Sequence, residues 1–452
     1  MRFFKSLPLN LVLLATDISP SSATLVPRSI QRVHDAAVGH TRSLARDLRV
    51  AFGGILVSQP NPPSQHVVYC RPGRPGGSPA ITNGGAGNTT TTGTPGTPSG
   101  SSRPNSGSTT RSSSTRPQPT GKPPASSPWK IVQTYEGESF FNGWDFFTGS
   151  DPTHGIVQYV DQNTARGSGI LDINSEGNAI MRVETTETVP NTRQSIRITT
   201  QAQFNGGLVI MDSIHMPTGC GTWPAFWTNG ADLPPFYPKQ KLIIYLGPNW
   251  PAGGEIDIVE GVHDYTNNQA TIHTNPGCTL PTTNTNSLAI SGSVIGGTDC
   301  AAETTGNQGC GIRARSGNTF GAGFNNNGGG VYAMKWDSSG VAIYFFPRGS
   351  IPADITDSVP QPDTWGAAQA RWPSTSCNAF QFFNNHHAIF DTTLCGDWAG
   401  AVWTSSGIPG QEQSCAQRTG FPTCEAFVRA SGSSFSEAYW EVKSVKIYQF
   451  SG

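Results

Sequence analysis

The sequence predicts an antiparallel all-β sandwich from Trp129 to the end of the chain. Apolar and polar residues alternate there in many short runs, among them 179–183, 195–199 and 331–336. Period two places successive side chains on opposite faces of a strand. Glycine, asparagine, aspartate and proline separate the runs, as is typical of turns. No helical pattern longer than two turns is convincing, so we expect strands to dominate.

The composition fits a turn-rich β protein and excludes two other classes. The chain of 452 residues contains 53 Gly and 35 Pro, and only 13% of its residues are charged, about half the usual 25%. This argues against helix bundles and coiled coils. The 29 Lys+Arg nearly balance the 30 Asp+Glu. A nucleic-acid partner is therefore not expected, because neutralising phosphates requires an excess of positive charge.

Residues 1–23 are expected to be a secretory signal peptide. Arg2 and Lys5 precede the apolar run 7–15, and small residues follow at 21–23, which is the order found in such peptides. The run is shorter than the roughly 20 residues that span a bilayer, so we expect no transmembrane segment. A membrane-proximal or poorly ordered N-terminus is the alternative. Secretion, with the protein extracellular or associated with the cell wall, is the expected localisation.

Two further segments precede the β-rich region. Residues 24–70 are predicted to be a leader or propeptide; Leu44, Leu48 and Phe52 could line one face of a short docking helix, and a poorly structured leader is the alternative. Residues 71–128 are dominated by Ser, Thr, Pro and Gly and contain no aromatic or acidic residue. Such a segment cannot bury enough apolar surface to fold. It is predicted to be a disordered linker, with a composition that suits an O-glycosylated stalk.

The cysteines support an extracellular protein. There are nine, and eight of them lie beyond residue 200 without zinc-ligand spacing. Up to four disulfides are therefore expected. Eight cysteines allow 105 pairings, so the connectivity stays open. Cys70 is the odd one and could be free or intermolecular.

One segment carries three acids within six residues, Glu255-Ile256-Asp257-Ile258-Val259-Glu260. On a regular strand Glu255 and Asp257 share a face and Glu260 points to the other. A one-residue β-bulge near Ile258–Val259 would bring all three together. A solvated charged strand is a poor alternative, because like charges on one face repel. A calcium site is a second alternative, although the spacing lacks the Gly and Asn of a metal loop.

Clustered carboxylates of this kind indicate glycoside hydrolysis. Two of them about 5–5.5 Å apart are expected of a retaining glycosidase. One ionised glutamate would attack the anomeric carbon. The other, kept protonated by its like-charged neighbours, would donate to the leaving oxygen and then activate water. This chemistry requires no cofactor, and we expect neither a cofactor nor a catalytic metal.

Aromatic residues on both sides of the acids could provide flat surfaces for sugar rings. The candidates for substrate binding are Trp227, Trp250 and Trp398, together with His273, which is predicted on the strand that follows the acids. A core position is the alternative for each. His386 and His387 lack metal-ligand spacing and are interpreted as structural or as a polar pair at the edge of the cleft.

These motifs resemble glycoside hydrolase family 16. The resemblance rests on Trp223-Pro224-Ala225-Phe226-Trp227 and the acid segment, continues through 142–147, 271–274 and 395–400, and covers about residues 129–452. It looks like the laminarinase branch, most of all secreted fungal endo-1,3(4)-β-glucanases.

What the resemblance implies is a concanavalin-like β-jelly roll with a glucan cleft on its concave sheet. It makes Glu255 the nucleophile, Glu260 the acid/base and Asp257 the assistant between them. Trp227, Trp250, His273 and Trp398 match positions lining the cleft. The expected substrate is β-1,3 or mixed β-1,3/1,4 glucan, and a monomer is expected. A cell-wall glucan transglycosylase and a non-catalytic glucan-binding module are the alternatives.

The segment 230–246 departs from the family pattern. Without these residues, Trp227-Thr228-Asn229 would join Gly247-Pro248-Asn249-Trp250 and match the family without interruption. We interpret the segment as an unspliced intron in the gene model. A genuine surface loop at the cleft edge is the alternative, because insertions are well tolerated there.

Overall fold

The computed structural model describes residues 126–230 and 250–451. The predicted signal peptide, the leader, nearly all of the linker, Cys70 and residues 231–246 of the departing segment lie outside the described residues. Ser127, at the end of the predicted linker, is buried, and its hydroxyl donates to the carbonyl of Pro360. No helix in the described part of the chain is both long and apolar enough to cross a membrane.

Strands are the dominant regular structure of the described chain, as predicted, and the helices are few and short. In chain order the strands are β1 (Trp129–Glu136), β2 (Trp144–Phe146), β3 (Val157–Tyr159), β4 (Leu171–Ile173), β5 (Ala179–Arg182), β6 (Arg193–Ser195), β7 (Arg197–Thr200), β8 (Gly207–His215), β9 (Thr222–Gly230), β10 (Glu255–Glu260), β11 (Gln269–His273), β12 (Ser293–Ile295), β13 (Cys310–Arg313), β14 (Gly330–Asp337), β15 (Gly340–Pro347), β16 (Ala370–Pro373), β17 (His386–Leu394) and β18 (Tyr439–Phe450). The helices are α1 (Gln162–Gly167), α2 (Thr285–Leu288), α3 (Ala302–Thr305), α4 (Gly321–Asn326), α5 (Ala353–Thr356), α6 (Ala379–Phe382), α7 (Cys415–Thr419) and α8 (Cys424–Ala430).

These strands form two large antiparallel sheets. The first has the order β16-β15-β14-β8-β18-β5-β4, with β1 added along β18, and the second has the order β12-β13-β11-β10-β9-β17-β7-β2. A separate parallel pair joins β3 to β6. Sequence neighbours are often not sheet neighbours, as expected for a jelly roll. The predicted final strand is confirmed, since β18 pairs with β1, β5 and β8.

One apolar core contains side chains from both sheets. The first sheet contributes Met211, Tyr332, Met334 and Trp336, all fully buried, and the second contributes buried residues of β9, β10, β11 and β17. On β14, Tyr332, Met334 and Trp336 recur at every second position, so they share the face that packs on the second sheet. The strands of both sheets therefore pack one face on the core, and the opposite face of the second sheet is available for a binding site.

Four disulfides join all eight cysteines beyond residue 200, which confirms the predicted maximum. The pairs are Cys220–Cys415, Cys278–Cys377, Cys300–Cys310 and Cys395–Cys424. Cys220 lies just before β9 and Cys395 just after β17, so two of the bridges tie α7 and α8 to central strands of the second sheet. Disulfides that close long loops restrict the unfolded chain most. These two bridges therefore fix the segment 395–430 at one end of the sheet.

Candidate active site

Strand β10 lies in the middle of the second sheet and carries the predicted bulge. Asp257 pairs with Trp227 of β9, whereas Val259 pairs with Phe226, so Ile258 is an extra residue in the ladder. Ile258 and Val259 are consecutive and both fully buried in the core. Two neighbouring side chains on one face are the signature of a bulge. The prediction of a one-residue bulge near Ile258–Val259 is confirmed.

Because of this bulge, all three acids lie on the sheet face opposite the core. Glu255 and Glu260 are half-buried, and Asp257 is buried. At this spacing the charges of Asp257 and Glu255 both raise the pKa of Glu260. The structure therefore brings together the three residues that the sequence singled out.

Glu255 is surrounded by groups that favour its ionised form. The indole Nε1 of Trp250 donates to its Oε2 at 3.0 Å, and His273 Nε2 lies 4.0 Å from its Oε1. Burial and the charge of Asp257 raise the pKa of Glu255 to about 8, while His273, Trp250 and Arg197 oppose the shift. Without these three neighbours the carboxylate would be still harder to ionise.

The surroundings of Glu260 favour its protonated form. Burial and the charge of Asp257 raise its pKa well above the usual value, and the main opposing contact is the Trp223 indole, whose Nε1 donates to Oε1 at 2.8 Å. Between the glutamates, Asp257 also has a raised pKa, because it is buried and lies near Asp391. His273 Nε2 lies 3.3 Å from Asp257 Oδ2.

These environments separate the two glutamates chemically. Neighbouring buried carboxylates cannot all ionise together, because each charge opposes the next. Glu255 has the Arg197 guanidinium, the His273 imidazole and one indole donor on its side, so it is the better candidate for the ionised group. Glu260 is the better candidate for the protonated group. An ionised and a protonated carboxyl side by side are what acid-assisted displacement requires.

The aromatic walls are partly as predicted. Trp250 and Trp398 are half-buried; Trp398 lies in the π-helical turn Gly396–Gly400, which follows the Cys395–Cys424 bridge. Its ring meets Trp223 edge-on at 5.7 Å between centroids. Trp227 lies opposite Asp257 but is only 6% exposed, with the Arg197 guanidinium over its ring. Its indole is therefore less available to a ligand than the other two.

Four residues at the site were not among the candidates chosen from the sequence. Trp223 lies two positions before Ala225 and four before Trp227, so strand parity could have placed it on the same face. Arg197 and Asp391 form a buried pair 4.0 Å apart, and Asp391 has a pKa raised to about 7, chiefly by burial. Asn268 contacts the backbone of β10. The last three had no local signal: Arg197 and Asp391 come from segments distant in sequence, and Asn268, only eight residues after Glu260, is a single polar residue outside any motif.

Two groups of possible metal ligands lie within 126–230 and 250–451. One ligand atom each from Glu255, Asp257 and His273 lie within 4.8 Å of one another, and so do those of Cys220, Asp264 and Cys415. In the second group the two cysteines are bonded to each other as a disulfide. His386 is fully buried, and its nitrogens contact Thr228 Oγ1 and the Gly253 carbonyl. Burial lowers the pKa of His386 to about 3. His386 is therefore a structural residue, which was one of the two interpretations of the sequence.

A comparison with protein families finds a match to the XgeA-like catalytic domain of glycoside hydrolase family 16. The match covers residues 144–236 and 243–448. It passes over 237–242, which lie inside the departing segment 230–246. The acids, the aromatic residues of the cleft and Asn268 all fall within the matched ranges.

Several curated fungal proteins are similar to this chain. A probable glycosidase of Schizosaccharomyces pombe is 41% identical over 71% of this chain and 70% of its own length. A probable endo-1,3(4)-β-glucanase of Aspergillus niger is 39% identical over 72% of this chain and 41% of its own length. The endo-1,3(4)-β-glucanase xgeA of Emericella nidulans is 36% identical over 73% and 48%. The chain thus spans less than half the length of these last two relatives.

Two solved structures resemble the described domain. Laminarinase 16A from Phanerochaete chrysosporium, solved with β-glucans in donor and acceptor sites, has a TM-score of 0.60 and 33% identity, covering 71% of this chain and 99% of that one. An elongating family 16 β-1,3-glucosyltransferase has the same TM-score and identity, covering 71% and 100%. The jelly-roll fold is common to both.

The raised carboxyl pKa values predict that the site destabilises the fold at neutral pH. A folded-state pKa above the unfolded value means that the native protein binds more protons, so its stability falls as pH rises above about 4.5. Glu255→Gln removes this titration. We expect its free energy of unfolding to exceed that of the wild type by at least about 1 kcal/mol at pH 7.

Denaturant unfolding from pH 4 to 8 measures this difference. The difference in the free energy of unfolding between Glu255→Gln and the wild type should vanish near pH 4, because Glu255 is then protonated in both the folded and the unfolded chain. Glu176→Gln, at an exposed position, is the control and should show no pH-dependent gap. A Glu255→Gln variant that is no more stable than wild type at pH 7 would contradict the buried, high-pKa carboxyl.

Proposed function

This chain belongs to glycoside hydrolase family 16, and we propose that it is an endo-acting β-glucanase. It hydrolyses β-1,3 or mixed β-1,3/1,4 glucan with retention at the anomeric carbon. The observation that carries the proposal is the bulged strand β10, which aligns Glu255, Asp257 and Glu260 on one face and gives the two glutamates different indole donors. The names of the fungal relatives and of the laminarinase structure support this substrate class.

The first step forms a bond to Glu255. An oxygen of its ionised carboxylate attacks the anomeric carbon from one side of the sugar ring. The glycosidic bond breaks, its electron pair goes to the leaving oxygen, and that oxygen takes the proton of Glu260. Trp250 and His273 favour the ionised form of Glu255 that makes this attack. The product of this step is a glycosyl ester on Glu255, with Glu260 ionised.

The second step releases the sugar. The ionised Glu260 takes a proton from water, the resulting oxygen attacks the anomeric carbon, and the bond to Glu255 breaks. Two inversions give net retention. Asp257 is the assistant between the two glutamates: its charge raises the pKa of both, and His273 contacts Asp257 and Glu255 together.

Aromatic rings on the two sides of the acids bind the glucan chain. Trp250 lies beside Glu255, and the Trp223–Trp398 pair lies beside Glu260. Indole faces pack against the apolar faces of sugar rings and bury area at little entropic cost. Trp227 contributes less direct contact, because Arg197 covers its ring.

Transglycosylation is the second candidate activity. The glucosyltransferase among the similar structures is as close to this chain as the laminarinase. The same glycosyl-enzyme serves both reactions, and the acceptor, water or sugar, decides between them. The two residues between Asp257 and Glu260 favour the hydrolytic branch of the family.

The organisation of the whole protein belongs to the same proposal. Residues 1–23 direct secretion, 24–70 form a leader or propeptide, 71–128 form a linker rich in Ser, Thr, Pro and Gly, and 129–452 are the catalytic domain. The protein acts as a monomer outside the cell or at the cell wall. Four disulfides within the catalytic domain are in keeping with an oxidising compartment.

Product analysis tests the activity. The purified protein is incubated with laminarin, lichenan and cellulose, and products are separated by chromatography with and without a sugar acceptor. We expect short oligosaccharides from laminarin or lichenan and none from cellulose. Glu255→Gln and Glu260→Gln should each lower the rate by at least about 100-fold, and Asp257→Asn should lower it less.

Each of the other results would point elsewhere. Products longer than the substrate that appear only with added acceptor would make the protein a transglycosylase. Glucan binding without turnover would leave a binding module. A Glu255→Gln or Glu260→Gln variant with the wild-type rate would overturn the assignment of the two glutamates.

The two indole donors predict separate changes in the pH dependence of laminarin hydrolysis. Removing a donor from a carboxylate destabilises its ionised form and raises its pKa. Trp250→Phe should therefore move the acidic limb of kcat/KM to higher pH, because Glu255 ionises later. Trp223→Phe should instead move the alkaline limb to higher pH, because Glu260 keeps its proton longer. The pH profiles of both variants, compared with wild type, measure this.

The pair of variants provides its own control, since each indole should affect one limb. Both indoles are also part of the aromatic walls, so kcat/KM at the optimum is expected to fall in each. If both variants shift the same limb of the pH profile, or if neither variant shifts a limb, then Glu255 is not the ionised group and Glu260 the protonated one.

A further inference from the structure

We infer that Asn268 is a positioning residue that holds the β10 bulge and thereby keeps Glu260 in the cleft. The inference rests on the proposed function, because it concerns the acid/base of that reaction. It arises from a gap in the hydrogen-bond ladder on one edge of β10. No substrate contact is assigned to Asn268.

Strand β10 loses its backbone partners at the bulge. Its pairing with β11 covers Glu255, Ile256 and Asp257 and then stops. Its pairing with β9 passes over Ile258. Ile258 therefore has no ladder partner on either side, although it is fully buried. A buried backbone polar group without a partner is costly and rare in native proteins.

The carboxamide of Asn268 replaces the missing backbone partners. Its Nδ2 donates to the Ile258 carbonyl at 2.9 Å, and its Oδ1 accepts from the Glu260 N–H at 3.0 Å. One planar group thus binds both ends of the bulge. Among short side chains only asparagine offers a donor and an acceptor in this fixed geometry; aspartate only accepts when ionised, and a hydroxyl has a single atom.

Asn268 is itself held firmly. It is fully buried, its backbone N–H donates to Thr319 Oγ1 at 2.9 Å, and its carbonyl accepts from the Ala314 N–H at 2.8 Å. The Thr319 hydroxyl in turn donates to the Ser316 carbonyl. On the edge that no longer pairs with β11, the bulge is therefore anchored to the loop 314–319, while β9 pairs with Val259 and Glu260 on the other edge.

Without this anchor the direction of the Glu260 side chain depends on the pairing with β9 and on the Trp223 indole alone. A change of one residue in strand register moves a side chain from one face of a sheet to the other. The contacts of Glu255 with Trp250 and His273 lie at the opposite end of β10, where the ladder to β11 is intact. Loss of Asn268 should thus impair the acid/base and spare the nucleophile.

Asn268→Ala tests this with two substrates. On laminarin we expect kcat to fall at least about 10-fold, a part of the 10²–10⁴-fold that general acid–base catalysis supplies, with KM changed less than about threefold. On a dinitrophenyl β-laminarioligosaccharide, the first-turnover release of dinitrophenolate should change less than about threefold, because that leaving group needs no proton. Wild-type kcat on laminarin, or equal losses on both substrates, would overturn the inference.

Matched variants complete the test. Asn267→Ala is the control: Asn267 is also buried, but its Nδ2 donates to the Ala314 carbonyl and not to β10, so the ratio of the two substrate rates should stay at the wild-type value. Thr319→Val leaves the Asn268 carboxamide in place and removes the hydroxyl that accepts from its N–H and donates to the Ser316 carbonyl. It should show the same selective loss as Asn268→Ala, but smaller, and serves if Asn268→Ala does not fold. A wild-type ratio in Thr319→Val would then overturn the inference.

A measurement without substrate separates this inference from the proposed function. Glu260→Gln is introduced into the wild type, Asn268→Ala and Asn267→Ala, and the free energy of unfolding at pH 7 is measured for each. We expect Glu260→Gln to be non-additive with Asn268→Ala and additive with Asn267→Ala. Additivity with both would overturn the role of Asn268. A wild type that leaves laminarin intact would overturn the proposed function alone.

Discussion

The extra residue in β10 is the constraint on which the site depends. Strand periodicity alone would place Glu255 and Asp257 on one face and Glu260 on the other, inside the core. With Ile258 out of the ladder, Ile258 and Val259 both enter the core, and Glu260 joins the other two acids. Two kinds of contact stabilise the bulge. The side chains of Ile258 and Val259 are buried in the core, and the Asn268 carboxamide hydrogen-bonds to the Ile258 carbonyl and the Glu260 N–H. The fold thus keeps three carboxyl groups together at the centre of a sheet.

Holding these acids together lowers the stability of the fold at neutral pH, and stabilising interactions elsewhere in the domain offset this loss. Burial raises the pKa of all three, so a neutral solution favours their exposure. The opposing forces are distributed: a core shared by two sheets, four disulfides, and the β18 strand that pairs along three others. Two bridges also fix the segment that presents Trp398. The same electrostatic repulsion that destabilises the fold gives Glu255 and Glu260 different affinities for protons, which is the property the chemistry uses.

Much of this was predictable because the relevant signals are local. The alternation of apolar and polar residues located the strands. Three acids between β-branched residues indicated that the three side chains share one sheet face, which requires a bulge. Trp250 and His273 lie close to the acids in sequence and were found beside them. Other features depend on segments that only the fold brings together. The pairing of Arg197 with Asp391 joins residues on two strands, and the contacts of Asn268 require the pairing of β10 with β11 to stop where the bulge begins. Trp227 was expected to line the cleft, but the structure covers its ring with Arg197, which no sequence pattern indicated.

The central claim is that the bulge divides the acids into a nucleophile, Glu255, and an acid/base, Glu260. The most direct measurement is to trap the covalent intermediate with a 2-fluoro laminarioligosaccharide carrying a good leaving group, which forms the glycosyl-enzyme but releases it slowly. Peptide mass spectrometry then identifies the labelled residue. The account predicts one sugar on Glu255. A label on Glu260 or Asp257, or an active enzyme that accumulates no label at all, would contradict it.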